Sequence, residues 1–136
     1  MGRALLFATV VLVMTGCAGT TDLAAPRMLP DEHVKMPFAE VVARARAQAG
    51  VATEAFLVND FGRVEDMATG IVQTCHVLAN ATDVPVKHQD RLKIEAEDLE
   101  KEAKKLQSAA RAKEPEQMNT AMTGINRMVR ELWPGS

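Results

Sequence analysis

Aromatic residues are scarce in this sequence of 136 residues, which has no Tyr, one Trp and four Phe. Its cations form no basic patch, and its net charge is −2 at pH 7. Nucleic-acid-binding domains normally carry a basic surface, so we expect no nucleic-acid partner. The apolar mass comes from Ala, Val, Leu and Met, next to segments rich in Glu and Lys. This composition is typical of an all-helical protein.

Motifs of enzyme chemistry are also lacking. The sequence has no Gly-rich phosphate loop, zinc motif or Ser-centred elbow. No Glu is followed by His at the Glu-x-x-His spacing that di-iron bundles need. Because no acid, base and nucleophile can be assigned together, we predict that the protein is not an enzyme.

The amino end has the layout of a secretory signal. Arg3 precedes an apolar run over residues 4–14, and Thr15, Gly16 and Cys17 follow. A basic head, an apolar run of this length and a small-residue cleavage site are typical of a signal peptide. The run is too short to cross a bilayer. We therefore predict a signal peptide over residues 1–16.

Residues 14–17, with the letters MTGC, resemble the lipobox of bacterial lipoproteins. The resemblance implies cleavage before Cys17, lipidation of its thiol and new amino end, and anchoring in a membrane. Ala18, rather than Asp, implies transfer to the outer membrane if the cell has one. We expect the protein at the periplasmic face of that membrane or at the cell surface. Lipidation of Cys17 would leave Cys75 alone, so no internal disulfide is expected.

Prolines mark the segment after the lipidation site. Pro26 and Pro30 lie within residues 17–36, and Pro37 follows. Proline fixes φ and lacks an N–H group, which discourages regular structure. An extended chain of this length reaches at most roughly 60–70 Å. We predict a flexible tether over 17–36 that holds a domain clear of the lipid.

Residues 37–134 contain four segments whose apolar residues alternate in steps of three and four, as in the seam of a bundle helix. Breaks at 59–60, 83–85 and 114–115 have residue types that begin and end helices. Short connections make successive helices antiparallel, so we predict an all-α, up-down-up-down four-helix bundle. Two hairpins exchanged within a homodimer would give the same pattern. The predicted seams are Phe38, Val42, Ala45, Ala49, Ala52 and Phe56; Phe61, Val64, Ala68, Ile71, Cys75, Leu78 and Thr82; Leu92, Ala96, Leu99, Ala103, Leu106 and Ala110; and Met118, Ala121, Ile125, Met128 and Leu132.

Cys75 and His76 are the most suggestive pair for chemistry. A thiolate beside an imidazole can bind a soft metal or act as a nucleophile. Adjacent residues of a helix point about 100° apart, however, and Cys75 lies on the predicted core seam. We interpret Cys75 as a buried structural thiol, with His76 beside the seam.

Methionines extend this candidate site. Met118 and Met122 are one turn apart on the last helix, and Met67 is on the second. Copper could use Met67 and Met118 with Cys75 and His76, and heme b could use His76 and Met122. Met is a common core filler, so packing is the preferred interpretation and no cofactor is expected.

The remaining histidines and the acidic helix are interpreted as solvated. His33 in the tether and His88 near the start of the third helix have no partner at metal-site spacing, and we predict that both are exposed. The acids of the third helix alternate with lysines, as in Glu100 and Lys104 or Glu97 and Lys101. Such pairs at i and i+4 are typical of a solvated outer face.

Residues 38–134 resemble the periplasmic four-helix bundles of the cytochrome c′ and cytochrome b562 class. The residues that carry the resemblance are the Leu/Ala pattern over 99–110, the acidic break at 114–115, and the stretch 122–133 ending in Trp133. The last helix of cytochrome c′ has Cys-x-x-Cys-His before an aromatic residue. With Trp133 as that aromatic, Asn126, Val129 and Arg130 stand in place of the two cysteines and the histidine. The resemblance implies a bundle that kept its fold and lost its heme.

Two functions are compatible with these patterns. The first is a lipid-anchored, non-catalytic bundle that binds a protein or stabilises an envelope complex. The alternative is a small heme- or copper-binding bundle related to cytochrome c′ and b562, which would serve electron transfer or metal handling.

Overall fold

The computed structural model describes residues 34–133, and every regular element in that range is a helix. The helices are α1 (Phe38–Leu57), α2 (Phe61–Leu78), α3 (Val86–Gln89), α4 (Leu92–Ala112) and α5 (Pro115–Leu132). The predicted all-helical class is therefore confirmed. The predicted signal peptide and nearly all of the predicted tether, including Cys17 and His33, lie outside the described residues.

Two of the predicted breaks have the expected helix-start chemistry. Oδ1 of Asp60 accepts a hydrogen bond of 3.1 Å from the backbone N–H of Arg63, which caps the first turn of α2. Asn59, just before it, has a φ of 60°, in the left-handed region that Asn tolerates better than most residues. Pro115 opens α5, where its missing N–H is no loss.

The chain between α2 and α4 differs from the prediction. Helix α2 ends at Leu78 and not at Thr82, and α3 is a separate short helix. Thr82 makes two backbone hydrogen bonds outside any helix: its N–H donates to the carbonyl of Met36 at 2.9 Å, and its own carbonyl accepts from the N–H of Phe38 at 2.8 Å. We call this pair of hydrogen bonds the Thr82 bridge. It takes the backbone groups that a longer α2 would use, and Asp83 follows with a φ of 54°, in the left-handed region.

The four long helices pack around an apolar core. Helix α1 packs against α2 and α5, and α4 also packs against α2 and α5. The side of α1 that faces the core is rich in alanine, which lets neighbouring helices approach closely. The largest fully buried side chains are Phe38, Ile71, Leu78, Leu99, Leu106, Met118 and Ile125.

A few predicted seam positions are not fully buried. Phe56 and Phe61 are half-buried, with their ring centroids 6.5 Å apart at the connection between α1 and α2. On α5 the core residue after Ile125 is Val129, which is 3% exposed, whereas Met128 is only partly buried. The reason is that a straight helix has 3.6 residues per turn, so a strict alternation of three and four drifts off the buried face.

Candidate functional site

Cys75 is buried on α2, as predicted, with 2% of its surface exposed. Burial raises the pKa of its thiol to about 12, and the nearby Glu100 carboxylate contributes in the same direction. The thiol is therefore protonated at neutral pH. Because the thiolate is the reactive nucleophile, burial of Cys75 opposes nucleophilic chemistry in this environment.

His76, next in sequence, lies at the surface between α2 and α4. Its Nε2 is 3.5 Å from Oε1 of Glu100, and the same carboxylate pairs with Lys104 one turn later. The hydrogen bond from Lys104, assisted by the one from His76, holds the pKa of Glu100 below its ordinary value despite partial burial. The pairing of Glu100 with Lys104 was predicted. Lys101, by contrast, places its Nζ 3.1 Å from Asp98.

The candidate methionine ligands are all core residues. Met67, Met118 and Met122 are 8%, 0% and 5% exposed. Met122 borders a gap beside Ile71 that has no room for a water molecule. A heme needs a preformed cavity of roughly several hundred Å³, and the packing around Met122 does not provide one. No group of three or more His, Cys, Asp or Glu within residues 34–133 could hold a metal ion.

His88 is buried, and the prediction that it is exposed is wrong. Only 5% of its surface is exposed, and its ring stacks on Phe38 with centroids 5.3 Å apart. Its Nδ1 lies 2.9 Å from Oε2 of Glu95. In a continuous helix two residues seven apart would be separated by roughly 10 Å along the axis. The break between α3 and α4 brings them into hydrogen-bond contact, which periodicity could not indicate.

A cleft of about 530 Å³ lies beside His88, and we call it the α3 cleft. Its walls come from α3, the first turns of α4 and the last turns of α5. The charged side chains on these walls include Arg91, Arg127, Asp98 and Glu131. Within the described chain, Nε2 of His88 is buried and has no hydrogen-bond partner. These residues are far apart in sequence, and sequence analysis did not identify them as a site.

Exposed large apolar side chains lie only at the two ends of the described structure. Leu57, the last residue of α1, and Val58, the residue after it, are each 73% exposed, and we call them the apolar tip. Val34, Val86 and Ile94, with exposures of 36%, 83% and 56%, lie near the Thr82 bridge or the start of α4. The 20 residues of α1 make it roughly 30 Å long, so the two ends are well separated.

Comparisons with known proteins identify no relative of this chain. The chain matches no protein-family model, no curated protein and no solved structure. A search of the described helices for one that is both long and apolar enough to cross a membrane finds none.

Proposed function

We propose that this protein is a lipid-anchored, non-catalytic helical bundle of the bacterial envelope that binds a protein partner through its apolar tip. Cys17 would carry the lipid, and residues 17–36 would connect it to the bundle. The observation that carries the proposal is the exposure of Leu57 and Val58, 73% each, at the end of α1 opposite to the tether.

The antiparallel up-down-up-down arrangement is part of this proposal. Three residues connect α1 to α2, and two connect α4 to α5. Connections this short favour antiparallel neighbours. The packing of α1 and α4 against both α2 and α5 is compatible with four helices arranged in a ring.

The position of the apolar tip fits a docking role. The tether enters at Pro37, and the tip lies roughly 30 Å away at the other end of α1. In a chain anchored through its amino end, the tip would therefore lie at the end of α1 farthest from the point of attachment. Apolar side chains exposed side by side mark protein contact sites more often than scattered single ones do. Phe56 and Phe61, which are half-buried and flank the tip in sequence, would extend the apolar contact to a partner.

We propose no cofactor for the core. The alternative heme arrangement needs His76 and Met122 to converge, but His76 pairs with Glu100 at the surface and Met122 borders a gap too small for water. The alternative copper arrangement needs the Cys75 thiolate, whose formation burial opposes. No observation favours the cofactor-binding alternative over the binding role.

The anchor is tested by metabolic labelling with a radioactive fatty acid. We expect label in the wild-type chain and none in Cys17→Ser, which should stay uncleaved or soluble. Three acyl chains bury many CH₂ groups at about 0.8 kcal/mol each, so the wild type should remain in the membrane at high salt. Labelled Cys17→Ser would contradict the assignment of Cys17.

The docking role is tested with a photo-crosslinking amino acid placed at Val58 in living cells. We expect one discrete crosslinked product, which disappears when the neighbouring Leu57 is changed to Asp. The matched control places the same crosslinker at Thr123, which is exposed near the middle of α5. Products of equal yield from both positions, or none from Val58, would contradict binding through the tip.

A further inference from the structure

The α3 cleft contains side chains whose binding capacity is not used within the described residues. Arg91 and Arg127 both line it, and neither guanidinium makes a hydrogen bond or ion pair with another residue in the range 34–133. Glu131 also lines the cleft, and its carboxylate makes no hydrogen bond or ion pair with another residue in this range. The cleft volume of about 530 Å³ falls within the range of small-ligand sites.

We infer that the α3 cleft binds a phosphate ester through Arg91 and Arg127, either in a phospholipid headgroup or in a small soluble molecule. A guanidinium presents paired N–H donors in a plane that matches two oxygens of a phosphate. Two guanidiniums on one cleft suit a group with several anionic oxygens. The unpaired carboxylate of Glu131 can accept a hydrogen bond from a hydroxyl next to that phosphate. Asp98, the other carboxylate of the cleft outside the His88 pair, is already bonded to Lys101.

His88 acts here as a positioning residue. Its ring is fixed by Phe38 on one side and by Glu95 at Nδ1, which holds α3 against α1 and α4. Arg91 is the residue just before α4 and lies between His88 and Glu95 in sequence. The contact between His88 and Glu95 therefore fixes the backbone from which the Arg91 side chain extends. Nε2 of His88 is itself buried, so the ring fixes the position of this wall and does not contact the ligand through that atom.

The site lies at the end of the bundle where the tether enters. The Thr82 bridge places Met36 and Phe38 next to the connection that leads into α3. In a chain anchored as proposed above, the cleft would lie at the end of the bundle that the tether joins. The cleft itself does not depend on that anchor, so the site is tested in a chain that cannot be acylated.

The test uses the full chain with Cys17→Ser in neutral detergent micelles, with ¹³C-labelled histidine rings observed by NMR. Inorganic phosphate is titrated in one series and a short-chain phosphatidic acid in another. We expect the His88 signal to shift with a Kd on the order of 1 mM for inorganic phosphate. Arg91→Gln combined with Arg127→Gln should weaken binding by about tenfold or more, because charged hydrogen bonds are lost.

Arg63→Gln is the matched control. Arg63 is exposed in the first turn of α2, roughly 22 Å from the other end of that helix, and its loss removes one positive charge, as each of the two cleft substitutions does. We expect its effect to stay within about twofold, since charges at this distance are screened by salt. Thermal unfolding of all variants, with Tm unchanged, separates loss of binding from loss of fold.

The two titrations also distinguish the source of the phosphate. Tighter binding of the phosphatidic acid than of inorganic phosphate supports a lipid headgroup, and equal or weaker binding supports a soluble phosphate ester. No shift of His88 with either compound would overturn the inference. Equal weakening by Arg63→Gln and by the double cleft variant would do the same. Loss of acylation at Cys17 bears on the proposed anchor alone and leaves these outcomes unaffected.

Discussion

The Thr74 hydroxyl lies 2.9 Å from Oε1 of Gln48, inside the interface between α1 and α2. Both side chains are almost fully buried, at 1% and 2% exposure. The same hydroxyl lies 2.9 Å from the carbonyl oxygen of Gly70, one turn earlier on α2. This polar contact in an otherwise apolar interface favours one register, because sliding the helices would leave the buried amide oxygen of Gln48 without its partner on α2.

Gly70 is expected to be essential to this contact. A Cβ at Gly70 would lie 2.7 Å from Nε2 of Gln48, which is closer than packed atoms approach. Gly70→Ala should therefore displace the Gln48 amide from Thr74 and destabilise the fold by roughly 1–3 kcal/mol, the usual cost of leaving a buried polar group unpaired. Gly50→Ala is the matched control, because Gly50 is exposed in α1 and a Cβ there would meet nothing within 4 Å. It should stabilise by roughly 0.5–1 kcal/mol. Urea unfolding of the two variants measures whether the free energy of unfolding falls for Gly70→Ala and rises for Gly50→Ala. Stabilisation by Gly70→Ala would contradict the contact.

A charge in the core of α2 should be strongly destabilising. Ile71 is fully buried at 0% exposure, and Ile71→Asp places a carboxylate there without a partner. The cost should be several kcal/mol, which is comparable to the whole stability of a small domain, roughly 5–15 kcal/mol. Glu97→Ala, on the exposed side of α4, should change stability by no more than about 0.5 kcal/mol. The Tm of the two variants is compared by thermal unfolding monitored by circular dichroism. Similar Tm values would mean that Ile71 is not buried in the core.

Burial of Cys75 should make alkaline pH destabilising. The pKa of the thiol rises from 9.0 to about 12 on folding, so between these values the folded state holds a proton that the unfolded state has lost. Stability from this group is therefore complete below pH 9 and decreases as the pH rises toward 12. Urea unfolding between pH 8 and 10.5 should show that the free energy of unfolding of the wild type decreases with pH. The decrease should be smaller in Cys75→Ala, whatever the absolute stability of that variant. An identical pH dependence would contradict the burial.

The thiol should also resist labelling. At pH 8 we expect Cys75 to react with a maleimide only after unfolding in urea, because the folded state holds it buried and protonated. Cys17→Ser is used for the measurement, so that Cys75 is the only thiol. Rapid labelling of the native chain would show that α2 and α4 separate easily.

Hemin should bind no better than it binds to a generic apolar surface. A heme iron needs an axial ligand held in a fixed inward position, usually His or Met. His76 and Met122 are the pair that the sequence offers, and they face different surroundings, one at the surface and one in the core. A hemin titration monitored by absorbance should give no sharp Soret band. A sharp band that disappears in both His76→Ala and Met122→Ala would instead favour the cofactor-binding alternative.

The long helices could be predicted because their information is local. Each carries an apolar stripe, and the signals that start α2 and α5, Asp60 and Pro115, lie in the sequence next to the turn they begin. Burial of Cys75 followed from its place on such a stripe. On α5 the stripe turned out to continue to Val129 rather than Met128, because the true helical period differs slightly from the spacing used.

The end of α2 and the α3 cleft could not be predicted, because they depend on contacts distant in sequence. Thr82 leaves the helix to bond with residues 36 and 38, more than forty positions earlier. His88 is buried because Phe38 and Glu95 surround it, and no spacing rule links these three positions. The cleft needs α3, α4 and α5 to come together first. Cys17 remains a prediction from its own local motif.

The Thr82 bridge has a mechanical consequence for any protein held by its amino end. A pull on the segment before Val34 is transmitted at Met36 along two routes, one through the backbone into α1 and one through the hydrogen bond to Thr82. The load therefore enters the folded body at two points, and the second hydrogen bond, at Phe38, holds the first turn of α1 while the chain is under tension. Force applied through the amino end would be shared between α1 and the segment that leads to α3. The first turn of α1 would therefore resist separation from the other helices.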